Sequence, residues 1–289
     1  MSADAPLFSP DADRYCVMGN PVSHSRSPWI HARFAELAGD RVSYGAHLVS
    51  LDGFADGIRE FMDAGGRGCN VTVPFKFEAA ALAHRLSDRA RIAGAANTLR
   101  FEHGEIHGDN TDGAGLVADI ERNAGVAIAG RDVLLIGAGG AAAGVLGPLL
   151  NAAPARLVVV NRTADRARAL VDSHQPLARV ADTLLQALPI DSLGASFDIV
   201  INASASSLSG GDIPVSADVL RPGTLALDMM YGTSAVGFMR WARHHGAVPR
   251  DGLGMLVEQA AEAFFQWRGI RPPAAQVLAE LRAIVDSGL

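Results

Sequence analysis

One stretch constrains the fold more than any other. Asp132-Val133-Leu134-Leu135-Ile136 is a continuous apolar run, as expected of a strand buried on both faces of a parallel sheet. It passes directly into Gly137-Ala138-Gly139-Gly140-Ala141-Ala142-Ala143-Gly144 and then into a helical segment reaching Leu150. Strand, glycine loop and helix in this order let backbone amides approach a pyrophosphate. Gly137 makes the turn, Gly139 leaves the backbone bare, and Ala142 allows close helix–sheet packing. A second strand at 157–160 follows at the required distance. The spacing predicts a dinucleotide-binding βαβ unit with Gly137, Gly139, Gly140 and Ala141 at the phosphates.

The residues closing that second strand select the dinucleotide. An acid there would hold a ribose 2′-OH. This chain has Asn161-Arg162-Thr163, then Arg166, and no carboxylate before Asp165. Planar guanidinium groups suit a 2′-phosphate, so NADP is the expected cofactor. The pattern then predicts a helix near 184–188, strands at 198–202 and 225–228, and a helix through Phe238 and Trp241. Asp251-Gly252-Leu253-Gly254-Met255 opens an apolar helix, and a last helix covers 273–285. These two helices remain after a complete nucleotide-binding unit, so the chain is expected to cross back and complete the domain before it.

That first domain follows a loose tail at 1–13. A strand at 14–19 runs into Asn20-Pro21-Val22-Ser23-His24-Ser25-Arg26-Ser27-Pro28, with Ser27 read as an N-cap and Pro28 as the first helical residue. Ser23 and Ser25 precede that helix, where hydroxyls and the positive dipole end suit a carboxylate. The alternative is that they only cap and turn the loop. A strand at 43–48 and a helix with Phe54, Ile58, Phe61 and Met62 on one face come next. The following strand, 69–73, has Cys69, Val71 and Val73 on one face and Asn70 and Thr72 on the other. Pro74 ends it, and Lys76 falls in the first turn of a helix running to about His84.

Lys76 is the only lysine among the 25 lysines and arginines of the chain. Lysine can release and regain a proton near neutrality, which arginine cannot. The positive end of a helix dipole disfavours the ammonium, the direction a general base needs. A hairpin over 99–108 turns at His103-Gly104. His103 and His107 flank that turn without a further ligand nearby, so they read as solvated histidines and no metal is expected. Asp109-Asn110-Thr111-Asp112-Gly113 then precedes a helix, repeating the order of polar loop and helix at Ser23 and Lys76. Asp112 is either an N-cap or a carboxylate aimed into a cleft.

Composition narrows the class. A chain of 289 residues suits two domains, and 49% hydrophobic content with 19% charge describes an α/β or α-rich globular protein. A net charge of −6 makes no case for nucleic acid or an anionic membrane. Cys16 and Cys69 sit in strand-like contexts, as buried thiols of a reducing compartment do. Residues 1–13 lack a basic segment followed by an apolar one, and no apolar run approaches a membrane span. A cytoplasmic protein is expected.

Taken together the motifs resemble the shikimate dehydrogenase family. The matching pieces are Gly19-Asn20-Pro21 with Ser23, Ser25 and Ser27-Pro28; Asn70 through Lys76; Gly94-Ala95-Ala96-Asn97-Thr98; Gly108 through Gly113; Gly137 through Ala141; Asn161-Arg162-Thr163 with Arg166; Asp228-Met229-Met230-Tyr231; and Asp251 through Leu256 with Gln259. They run in family order from about residue 15 onward. The resemblance implies two α/β domains separated by a cleft: a substrate-binding domain over 14–112 with 254–289, and a Rossmann domain over 113–253 that binds NADP. It implies that Ser23 and Ser25 hold a substrate carboxylate, and that Thr72, Asn97, Asp112 and Gln259 bind ring hydroxyls with Tyr231 nearby. Lys76 and Asp112 form the catalytic pair. Asn161, Arg162, Thr163 and Arg166 hold the 2′-phosphate, and Met229, Gly252 and Met255 border the nicotinamide.

The implied activity is reversible NADPH-dependent reduction of 3-dehydroshikimate to shikimate, in the route to chorismate and the aromatic amino acids. A quinate or dual quinate/shikimate dehydrogenase is the near alternative. A non-catalytic dinucleotide-sensing or partner-binding relative is the distant one, and it predicts a broken Lys/Asp pair. The oligomeric state is open, with a homodimer the assembly to test. One departure stands out: Ser207 occupies a position where the family often has glycine.

Overall fold

The computed structural model describes residues 11–194, 196–204 and 213–287. They form two compact units, Met1–Thr111 with Gln259–Leu281, and Asp112–Glu258 with Arg282–Leu289.

The first unit contains β1 (Asp13–Gly19), α1 (Ser27–Ala38), β2 (Val42–Leu48), α2 (Phe54–Asp63), β3 (Gly66–Val71), α3 (Lys76–Leu82), β4 (Arg85–Leu86), α4 (Asp88–Ala93), β5 (Thr98–Glu102) and β6 (Glu105–Asp109). The strands lie in the order β2-β1-β3-β5-β6-β4. β1 runs parallel to β2 and β3, β5 antiparallel to β3, and β6 antiparallel to β5. This topology brings the ends of β1, β3 and β6 and the start of β5 to one edge of the sheet. One face is covered by α2, whose Phe54, Ile58 and Phe61 recur at helical spacing and pack on Cys16, Met18, Cys69, Val71 and Leu99. Each fully buried side chain of this size contributes roughly 1.5–3 kcal/mol. The other face carries Tyr15, Val17 and Tyr44 against Trp267.

Three local expectations are corrected here. β3 begins at Gly66 and ends at Val71, because the Thr72 carbonyl accepts the Phe75 N–H at 3.1 Å and turns the chain. Val73 is therefore 62% exposed and does not share the core face with Cys69 and Val71. Ser27 is the first helical residue, not the cap; Ser25 Oγ accepts its N–H at 3.2 Å and satisfies that donor from one position further out. α3 ends at Leu82, two residues short of His84, where Ala83 turns extended.

The second unit contains α5 (Asp112–Ala118), a π-helical turn (Asp119–Asn123), β7 (Asp132–Ile136), α6 (Gly140–Asn151), β8 (Arg156–Val160), α7 (Ala164–Val180), β9 (Leu184–Ala187), β10 (Ile199–Asn202), β11 (Leu225–Asp228), α8 (Val236–His244) and β12 (Val248–Arg250). Every paired strand is parallel, in the order β12-β11-β10-β7-β8-β9. The order reverses at β7, the Rossmann pattern, with the crevice beyond its carboxyl end. The helix expected near 184–188 is instead strand β9, in register with β8 from Arg156↔Leu184 to Val159↔Ala187. Leu184, Leu185 and Leu188 have helix-like spacing, but pairing with β8 satisfies the backbone and alternation buries Leu185 while leaving Leu184 55% exposed. β12 answers no expectation drawn from the sequence. Helices α9 (Leu253–Arg268) and α10 (Ala274–Asp286) close the chain, and the boundary between the units falls within both.

Candidate active site

At the shared sheet edge of the first unit, the loop after β1 holds an exposed Ser23, whose Oγ lies 3.2 Å from His24 Nδ1, and a half-buried Ser25. Thr72 follows β3, and its N–H donates to the Met18 carbonyl at 2.9 Å. A Cβ on Gly19 would collide with the Thr72 methyl, so glycine is required for this approach. Lys76 is the first residue of α3 and half-buried; its carbonyl accepts the Ala96 N–H at 2.9 Å, fastening the α3 start beside Asn97.

Asn97 is the hub of this edge. Its Oδ1 accepts the Thr111 N–H at 2.8 Å and the Thr98 hydroxyl at 3.0 Å. Its Nδ2 donates to Thr111 Oγ1 at 3.0 Å and Gln259 Oε1 at 3.4 Å. Asn70, Asn97, Thr98, Thr111 and Gln259 are all buried. The fold thus brings Asn97 and Gln259 together, although 162 positions separate them. The loop after β6 is pinned by Asp109, which Arg89 holds through Nε at 2.7 Å and Nη2 at 2.5 Å, with Ser87 Oγ also donating. Burial acts to raise the Asp109 pKa, but the Arg89 guanidinium outweighs it and keeps the carboxyl below its usual range.

The other predicted residues lie in the second unit. Asp112 is the first residue of α5 and buried. Gly137 has φ 117°, and a Cβ there would stand 3.0 Å from the Ala203 carbonyl. Gly139 precedes α6, and a Cβ there would meet nothing within 4 Å, so open room lies at the helix N-terminus beside Gly140 and Ala141. Past β8, Asn161 Nδ2 donates to the Thr163 carbonyl at 2.9 Å and shapes the turn into α7. Arg162 and Arg166 are exposed, and among the described residues no carboxylate pairs with either. These features fit a phosphorylated dinucleotide: bare backbone for the pyrophosphate, uncommitted guanidinium groups for a further phosphate.

Met229 and Gly252 are also brought together. The Gly252 N–H donates to the Met230 carbonyl at 2.9 Å, and a Cβ on Gly252 would run into the Met229 carbonyl. Met255 is buried in the core below, and Tyr231 is half-buried before a short 3-10 turn. Ser207 lies outside the described residues. Among the described residues, no group of three or more His, Cys, Asp or Glu is arranged to hold a metal, and no helix is long and apolar enough to cross a membrane.

Sequence reasoning misses several residues. Tyr44 donates to Asn70 Oδ1 at 2.7 Å, and Thr98 and Thr111 bracket Asn97. Asp119 is fully buried and paired with Arg250, while Asp251 pairs with Arg282 and accepts the Leu253 N–H at 3.3 Å. The one available signal is polar residues at positions whose alternation should face the core.

A complete Rossmann sheet, a glycine loop at its strand-order reversal and exposed arginines after its second strand define a dinucleotide-binding α/β protein. Family models for the shikimate dehydrogenase substrate binding domain, for shikimate / quinate 5-dehydrogenase and for the shikimate 5'-dehydrogenase C-terminal domain match residues 17–99, 119–209 and 252–282. A curated relative named shikimate dehydrogenase (NADP(+)), from Paracidovorax citrulli strain AAC00-1, is 69% identical over 94% of this chain and 97% of its own. Among solved structures, an Ael1 enzyme from Pseudomonas putida superposes with TM-score 0.87 at 45% identity, covering 93% of this chain and 98% of its own. The shikimate 5-dehydrogenase of Thermus thermophilus, in complex with NADP(H) and shikimate, gives 0.82 at 30%, covering 94% and 99%. The chain belongs to the shikimate dehydrogenase family.

Proposed function

We propose that the chain is an NADP-dependent oxidoreductase that reversibly reduces 3-dehydroshikimate to shikimate, in the pathway to chorismate and the aromatic amino acids. The observation that carries this reading is the 69% identity, over nearly the full length of both chains, to a relative named for that activity. The open room at Gly139 and the exposed Arg162 and Arg166 support NADP as the dinucleotide.

In this reading residues 14–112 with 254–289 form the substrate domain and 113–253 the cofactor domain. Ser23 and Ser25 hold the substrate carboxylate; Thr72, Asn97, Asp112, Tyr231 and Gln259 bind the ring oxygens. Gly137, Gly139, Gly140 and Ala141 receive the pyrophosphate, and Asn161, Arg162, Thr163 and Arg166 the 2′-phosphate. Met229, Gly252 and Met255 border the nicotinamide. NADPH, when bound, supplies hydride to the C3 ketone carbon. Lys76, as ammonium, donates to the ketone oxygen and passes it a proton as the alkoxide forms; in the reverse direction its amine takes the hydroxyl proton. Asp112 orients Lys76 and accepts from the neighbouring hydroxyl. A cytoplasmic location accompanies this reading, and a homodimer is the assembly to test.

A spectrophotometric panel tests it, with shikimate and quinate each offered with NADP and NAD. Rapid shikimate-dependent NADP reduction is the expected outcome. Preference for quinate would select the quinate alternative, and absence of any substrate-dependent reduction would sink the assignment.

A further inference from the structure

A buried chain of hydrogen bonds in the first unit begins on β2, away from the groups assigned to substrate. Tyr44 donates its hydroxyl to Asn70 Oδ1 at 2.7 Å. Since that oxygen accepts, the Asn70 Nδ2 is turned the other way, donating to Thr98 Oγ1 at 3.0 Å and to the Asn97 carbonyl at 3.2 Å. The Thr98 hydroxyl, already an acceptor, sends its own proton to Asn97 Oδ1 at 3.0 Å. Asn97 is left with Nδ2 to offer, to Thr111 Oγ1 and Gln259 Oε1. Each link has one polarity, so the chain is directional from the phenol to Gln259.

The phenol is itself held by packing. His31 stacks on the Tyr44 ring with centroids 4.2 Å apart and planes 5° apart. His31 is fully buried, and among the described residues neither ring nitrogen has a hydrogen-bond partner. It therefore steers the ring without competing for the hydroxyl. Burial keeps the Tyr44 phenol above its usual pKa range, so it remains a donor.

We propose that Tyr44 is a positioning residue for substrate recognition: through Asn70 and Thr98 its hydroxyl fixes how Asn97 and Gln259 present their amides, so that Gln259 meets the substrate with its Nε2 hydrogens. This rests on the reading that Asn97 and Gln259 bind ring oxygens. The Thr111 N–H supports the same Asn97 orientation, so losing the phenol loosens the amides without reversing them.

Steady-state kinetics on Tyr44→Phe, Thr98→Val, their double variant and Asn97→Ala test it. Tyr44→Phe raises KM for shikimate about fivefold, the worth of one hydrogen bond, with KM for NADP within about twofold of wild type. Thr98→Val cuts the same chain nearer Asn97 and does likewise, and the double variant is little worse than either single one. If Asn97→Ala leaves KM for shikimate unchanged, the site reading falls and the proposal with it. If Asn97→Ala raises it while Tyr44→Phe and Thr98→Val do not, the proposal alone is overturned. Should Tyr44→Phe fail to fold, Thr98→Val decides.

Discussion

Arg250 grips Asp119 with both arms of its guanidinium, Nε 2.8 Å from Oδ2 and Nη2 2.5 Å from Oδ1. Asp119 is wholly buried, and a Cβ on Gly254 would overlap its carboxylate. The pair ties the π-helical turn to the segment that carries Gly252 and Met255. Arg250→Ala leaves a buried carboxylate whose remaining side-chain donor, among the described residues of its turn, is Asn123 at 3.0 Å. Removing one member of such a pair costs about 3–5 kcal/mol. Urea unfolding is expected to register a loss of that size; a loss below ~1 kcal/mol would mean that the pair contributes little.

Lys76 is assigned the proton that reaches the ketone oxygen. Lys76→Ala should lower kcat by about 10²- to 10⁴-fold with NADP affinity nearly unchanged. Lys76→Arg keeps the charge but not the titrating amine, and it should be almost as slow. Full activity in Lys76→Arg would leave charge, not proton transfer, as the role of this residue.

Arg162 and Arg166 are assigned to the 2′-phosphate. A charge-assisted hydrogen bond is worth about 1.5–3 kcal/mol, so removing both should raise KM for NADP at least tenfold. KM for NAD should stay nearly constant, because NAD lacks that phosphate. An equal rise for both dinucleotides would place the arginines elsewhere in binding.

His31 predicts a pH dependence of stability. Burial lowers its pKa from 6.5 to about 3, outweighing the neighbouring Asn70 side chain, which acts to raise it. Below pH 6.5 the unfolded chain therefore takes up a proton that the folded chain refuses. Its contribution is complete above 6.5 and declines by up to about 1.4 kcal/mol per pH unit as pH falls toward 3. His174, also lowered by burial, acts in the same direction. His31→Phe keeps a ring against Tyr44 and should flatten the urea midpoint between pH 6.5 and pH 5 relative to wild type. An unchanged slope would exclude His31 as its source.

What is legible in the sequence is local. Gly137 to Ala142 carry the turn, the bare backbone and the close packing within six consecutive positions, and β7 and α6 form around them. β9 reads as helix because a four-residue strand has too little alternation to outweigh three leucines at helical spacing; its strand character comes from β8. The Tyr44–Asn70 and Asn97–Gln259 bonds span 26 and 162 positions, and Asp119–Arg250 spans 131. Pairings at such separations arise only when strands and helices are assembled, and no spacing rule announces them. Motif recognition supplies Asn97 and Gln259 as separate expectations but not the bond between them.

Lys76 stands half-buried at the head of α3 and bears the only side-chain amine in the sequence. Acylating reagents that decorate most proteins at random have a single side-chain target here, the one assigned to proton transfer. Surface immobilisation through side-chain amines would therefore select for blocked molecules, and a lysine-specific protease has one bond to cut, Lys76–Phe77. The rate of that single cut reports how often the start of α3 opens, without labels or substitutions.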